Sequence, residues 1–143
     1  MRQDKYILKG KKVVPFEHAD IGTEEGRKKL LEWAEIAYGE KSNRIVKQEA
    51  CNNFWVSTVF LALDHSFGGD RPILFETMVF DRFGHDVWMD RCSTWDEAET
   101  QHEEALAIVR SGQLRHDYRR GFRDMWDRMK YKWRKVWTSD QKA

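Results

Sequence analysis

The chain has 143 residues, 41% of them hydrophobic and 19 of them Phe, Trp or Tyr, which suits one folded domain with a core and excludes a disordered chain. Its two cysteines, Cys51 and Cys92, lack a CxxC or CxxH neighbour, which excludes a disulfide scaffold and a four-thiolate zinc site. The formal charge of +1 hides a split, since residues 1–113 carry 15 Lys+Arg against 20 Asp+Glu and residues 114–143 carry 10 against 4.

Tyr6-Ile7-Leu8 and Lys12-Val13-Val14 flank Lys9-Gly10-Lys11, a short hairpin in which Gly10 supplies the positive φ of the turn and Pro15 closes the second strand. Thr23 is placed to cap a helix whose first turn holds Glu24 and Glu25, beside the positive end of the helix dipole. Leu30, Trp33, Ala34, Ala37 and Tyr38 recur at helical spacing before Gly39, so the helix runs from Glu24 to Tyr38.

Four strand-like runs follow. Arg44 to Cys51 stops at the turn signal Asn52-Asn53, and Phe54 to Leu63 is apolar in both alternating sets, as a central strand is. Ile73 to Phe80 is similar. Val87 to Cys92 is shorter and follows the turn Phe83-Gly84-His85-Asp86. Short links between the runs predict an antiparallel meander. Thr94-Trp95-Asp96-Glu97 has the form of a capping box, and Trp95, Ala98, His102, Ala105, Leu106 and Val109 share one face of a helix ending near Arg110. Strands followed by helices predict an α+β fold: a four-stranded antiparallel meander with two helices on one face, plus the N-terminal hairpin.

The last segment differs in kind. Leu114, Tyr118, Phe122, Met125, Met129, Trp133 and Val136 form a seam along a long amphipathic helix interrupted only by Gly121. The chain therefore divides into an acidic α+β domain, residues 1–112, and a basic aromatic helix, residues 113–143. Arg115, Arg119, Arg123, Trp126, Lys130, Trp133, Arg134 and Trp137 are its candidate binding residues, suited to an acidic protein surface or, by stacking and phosphate contact, to nucleic acid. Asp124, Asp127 and two further acidic residues in the segment weigh against a pure phosphate clamp. Docking of the stripe on its own domain, of opposite net charge, or on a second copy stays open, so a homo-oligomer is a further reading.

For chemistry, Asp64 and His65 end one strand, Glu76 lies inside the next near Leu61, and His102 lies on the apolar face of the second helix. Together they carry imidazole and carboxylate groups suited to acid-base work, metal binding or nucleotide binding. Against this, Asp64 suits a turn former, a histidine on an apolar helix face suits a hydrogen-bonded core position, and Gly68-Gly69 lacks the lysine and helix of a P-loop. No catalytic residue, metal or cofactor is assigned. With a charged N-terminal region and no long apolar run, the composition predicts a soluble cytoplasmic protein with no membrane-spanning helix; a membrane surface, which Trp with Lys and Arg also suit, ranks behind protein and nucleic acid as a target of the last helix.

Three blocks, VSTVFLALDHSFGG, RPILFETMVF and CSTWDEAETQHEEAL, resemble a family of small proteins encoded by bacteriophages and prophages. The resemblance covers about Tyr6 to Val109 and is firm from Val56 onward. It singles out Asp64, His65, Glu76, Trp95 and His102 as the matching positions and implies a phage context, hence the host cytoplasm and a host or phage partner. The chain departs from the pattern at Gly69-Asp70-Arg71-Pro72 and after Gly112. These observations lead to the expectation of a non-enzymatic binding protein of phage type acting through its last helix, with an enzyme or small-ligand binder built on Asp64, His65, Glu76 and His102 as the alternative and a phage assembly component as the third reading.

Overall fold

The computed structural model describes residues 4–17 and 20–140, with side chains through residue 129 inside the last helix. Strands β1 (Tyr6–Lys9) and β2 (Lys12–Pro15) form the predicted hairpin, with Gly10 at φ 61°. Helix α1 spans Glu24–Tyr38, where the Thr23 hydroxyl accepts from the Gly26 N–H at 3.0 Å. It stops at Gly39, whose N–H donates to the Glu35 carbonyl; the glycine is extended rather than left-handed.

The main sheet is the expected antiparallel meander in the order β3 (Ile45–Cys51), β4 (Phe54–Phe60), β5 (Phe75–Phe80) and β6 (Asp86–Cys92). Asn52 and Asn53 both take positive φ, as a two-residue primed turn requires. β4 ends sooner than its composition predicts, at Phe60 rather than Leu63. Ala62 turns to φ 62° and its carbonyl accepts from the Tyr6 N–H, which ties this end of the sheet to the hairpin, while the Leu61 and His65 N–H groups still donate to the Leu74 and Ile73 carbonyls. β5 likewise begins at Phe75, and Glu76 sits opposite Val59 rather than Leu61.

Helix α2 (Trp95–Arg110) has the predicted capping box, with Thr94 and Glu97 satisfying each other's backbone N–H groups. It buries Ala98, His102, Ala105, Leu106 and Val109 as expected, together with Gln101. Even-numbered β4 residues and odd-numbered β5 residues face it, as the alternating burial of Phe54, Val56, Thr58 and Phe60 and of Phe75, Thr77 and Val79 requires.

That face carries two apolar clusters. Trp33 and Ala37 of α1 join Phe60, Ala62, Leu74, Phe75 and Ala98, while Phe54, Val56 and Val79 pack with Ala105, Leu106 and Val109. Between the clusters lies a buried polar band, Thr58, Thr77, Gln101 and His102. Helix α3 (Tyr118–Asp140) begins later than the seam predicts. Leu114 belongs to the lead-in and packs on the second cluster, and Asp117 starts the helix by accepting from the Arg120 N–H at 2.9 Å.

Candidate functional site

The residues singled out for chemistry do not meet. His102 is fully buried beneath α2; its Nδ1 lies 2.7 Å from Thr58 Oγ1 and its Nε2 lies 3.3 Å from Glu49 Oε1. Thr77 Oγ1 completes the band at 2.7 Å from Thr58 Oγ1 and 3.3 Å from Gln101 Oε1. Burial holds the His102 imidazole below its ordinary pKa despite the opposing hydrogen bond with Glu49. A neutral ring that donates from Nε2 to the Glu49 carboxylate accepts at Nδ1 from the Thr58 hydroxyl. On the surface above it, Lys47 bridges Glu49 and Glu103, and both carboxylates are held low mainly by hydrogen bonds from that ammonium.

Glu76 lies on the other side of the sheet, where Arg91 donates to it at 2.7 Å from the neighbouring strand. Asp64 orders its own loop by accepting from the Ser66 and Ile73 N–H groups, at 2.8 and 3.0 Å. His65 stands on the same loop, its ring edge-on to Phe67. Trp95 packs edge-on against Phe75, with the Lys11 ammonium over its ring. Histidine and carboxylates are thus distributed over two faces of the sheet and one loop. Among the described residues no three His, Cys, Asp or Glu side chains gather as metal ligands.

A different constellation joins α3 to the β5–β6 turn. Asp81, buried at 4% exposure, accepts through Oδ1 from the Phe83 and His85 N–H groups and through Oδ2 from the Asp117 N–H at 2.7 Å. Burial works against the ionised carboxyl, but these three backbone donors and His85 together hold it below the ordinary aspartate value. One carboxylate therefore shapes the turn and fixes the start of α3. The His85 Nε2 donates to Asp124 Oδ2 at 2.6 Å, while its buried Nδ1 makes no hydrogen bond and faces Asp81 Oδ2 at 3.7 Å.

Aromatic contacts reinforce this anchor. His116 stacks on Phe54 with ring centroids 4.3 Å apart, and Phe83 meets Tyr118 edge-on at 5.4 Å. Arg120 reaches Asp86 at 3.7 Å.

Beside the anchor is an open cleft of about 700 Å³, lined by Arg82, Phe83, Tyr118, Phe122, Met125 and Arg128 among others. Its lining is mainly apolar and aromatic, with Arg82, Arg128, His85 and Asp124 as its charged or titratable members. The described part of α3 exposes Phe122 (59%), Met125 and Trp126 (60%) rather than burying them on the body. Arg115, Arg119, Arg123 and Arg128 are exposed with them. The expected binding residues Arg115, Arg119, Arg123 and Trp126 thus lie on the surface, whereas Lys130, Trp133, Arg134 and Trp137 lie outside the described side chains.

Sequence reasoning treated Phe83 to Asp86 as a plain turn and missed Asp81, His85 and Asp124. Asp117, three positions before Arg120, signals the start of α3, but no local signal points to Asp81, His85 or Asp124. No helix of the described residues is long and apolar enough to cross a membrane. Comparison with protein-family models, with curated proteins and with solved structures gives no match.

Proposed function

We infer that the chain is a non-enzymatic binding protein whose α+β body serves as a scaffold and whose helix α3 engages a macromolecular partner, first of all a protein with an acidic surface. The observation that carries this reading is the exposure of Phe122, Met125 and Trp126 among arginines on a helix whose base is fixed by Asp81, His85 and Phe83. A helix held at one end presents its stripe without first being ordered by the partner, which lowers the entropic cost of binding. The apolar cleft suits one anchoring side chain of the partner, and the arginines suit acidic residues around it.

The bonds that Asp64, Glu76 and His102 make with their neighbours support a structural role for those residues. The phage resemblance directs the proposal to a host or phage protein met in the host cytoplasm, a defence or nucleoprotein complex among them. Capture from a host lysate with the full chain and with the Arg119→Glu/Arg123→Glu/Trp126→Ala variant tests the reading. A partner retained by the first and lost by the second is expected. Equal retention by both would overturn it, and release by a single-stranded oligonucleotide would redirect it to nucleic acid.

A further inference from the structure

Among the described residues, one face of the sheet is covered and the other is bare. α2 packs on the side of Phe60, Phe75 and Val79, and Trp33 and Ala37 of α1 join the Phe60 and Phe75 end of that side. The opposite side carries Ile45, Trp55, Val59, Met78, Phe80 and Met89, of which Ile45 is 52%, Trp55 44% and Met89 47% exposed. Two polar pairs lie within this face, Glu76 with Arg91 and Gln48 Nε2 with Ser57 Oγ at 2.8 Å. Covering the face would strand neither of those pairs, which removes a principal cost of burying it.

The same chain carries a second uncovered apolar surface, the stripe of α3. We propose that the two match in trans: α3 of one copy lies across the bare sheet face of a second copy, and the second copy returns its own α3, closing a two-fold dimer. This rests on the reading of α3 as the binding element and names its occupant as a second copy of this chain.

Three observations favour that occupant. The first is charge, because residues 114–143 have ten basic against four acidic residues and residues 1–113 have fifteen against twenty. Helix on body is therefore attractive, whereas helix on helix brings like charges together. The second is attachment. Asp81 to Asp117, His85 to Asp124 and Phe83 against Gly121 fix the first turns of α3 at the β5–β6 turn, and its own Trp55 and Met89 stay exposed.

The third is size. The 23 residues of α3 extend about 35 Å at 1.5 Å per residue, whereas four strands at about 4.8 Å spacing make a sheet roughly 20 Å wide. One helix is long enough to cross the whole face. A reciprocal exchange uses both surfaces of both copies and leaves no open end for further growth.

The test uses full-length protein in light scattering, with a sheet variant, Trp55→Glu/Met89→Glu, and a helix variant, Met125→Glu/Trp126→Glu. All four positions are exposed, so unchanged far-ultraviolet circular dichroism is expected to show that both variants fold; Trp55→Gln and Trp126→Gln are the milder pair. Wild type is expected at twice 17.1 kDa, each variant at 17.1 kDa, and an equimolar mixture of the two again at the doubled mass, because one intact helix then meets one intact sheet. A mixture that stays monomeric overturns helix exchange in favour of pairing between like surfaces. A monomeric wild type overturns the dimer alone and leaves α3 to a different partner. A helix variant that dimerises as wild type does overturns both the exchange and the role of α3.

Discussion

Gly121 of α3 lies against the ring of Phe83: a Cβ at position 121 would fall 2.8 Å from Phe83 Cγ and 2.9 Å from Cδ2. The absence of a side chain there lets the helix rest directly on the turn between β5 and β6. The ring atoms nearest the missing Cβ lie close to the Phe83 backbone, so they cannot move aside cheaply.

Gly121→Ala is therefore expected to loosen α3 from the body although alanine favours a helix by about 1 kcal/mol. Overpacking of this kind costs about 1–3 kcal/mol. Hydrogen exchange at the amides of Asp117 and Gly121 should accelerate, and Gly121→Ala/Phe83→Ala should behave better than Gly121→Ala alone. Unchanged exchange in the single variant would contradict the contact.

Asp81→Asn tests the carboxylate that joins turn and helix. The amide oxygen can take over the two N–H donors of Phe83 and His85, but its NH₂ then opposes the Asp117 N–H. A loss of about 2 kcal/mol is expected in urea unfolding, since a buried donor is left unpaired. The sign with pH follows from the lowered Asp81 pKa. Its contribution is complete above the ordinary value of 3.8 and is lost as pH falls through the lower folded value. The wild-type advantage over the asparagine variant should therefore shrink at acid pH, and a constant difference would contradict it.

His102 should impose a second pH dependence. Because burial lowers its folded pKa below 6.5, the unfolded chain takes up this proton first as pH falls. Its contribution is complete above about pH 6.5 and declines below it. Thermal unfolding of wild type and His102→Gln is expected to show a steeper loss of Tm in wild type between about pH 7 and pH 5. Parallel curves would show that the ring does not titrate as burial requires.

Thr94→Ala removes half of the capping box and leaves the Glu97 N–H without its acceptor. A loss of about 1 kcal/mol is expected in chemical unfolding. A difference under about 0.3 kcal/mol would show that the box adds nothing beyond the packing of α2.

The legible parts of the fold are those written in local signals. Thr23 with Glu24 and Glu25, Asn52-Asn53, and Thr94 with Glu97 each mark a boundary through residues within a few positions, and the observed elements begin or end beside them. The strand ends at Phe60 and Phe75 were less legible, because the left-handed backbone falls on Ala62, not a turn residue, and its carbonyl is met by the Tyr6 N–H from a distant part of the chain. The polar band was half legible: His102 stood out on an apolar helix face, but its partners Thr58 and Glu49 come from two other strands. The anchor of α3 was illegible for the same reason, since His85 and Asp124 are 39 positions apart and neither belongs to a short motif. Gly121, read as an interruption of the seam, is instead the contact that permits close approach.

The central claim, that recognition resides in α3, is tested most directly by replacing Trp126 with a photoreactive benzophenone amino acid and, as a control, replacing Leu31 of α1. Both positions are exposed, at 60% and 71%. On irradiation in bacterial cells that express the protein, a discrete adduct is expected from position 126 and none from position 31. An adduct that forms at position 31 but not at 126, or at neither, would contradict the account.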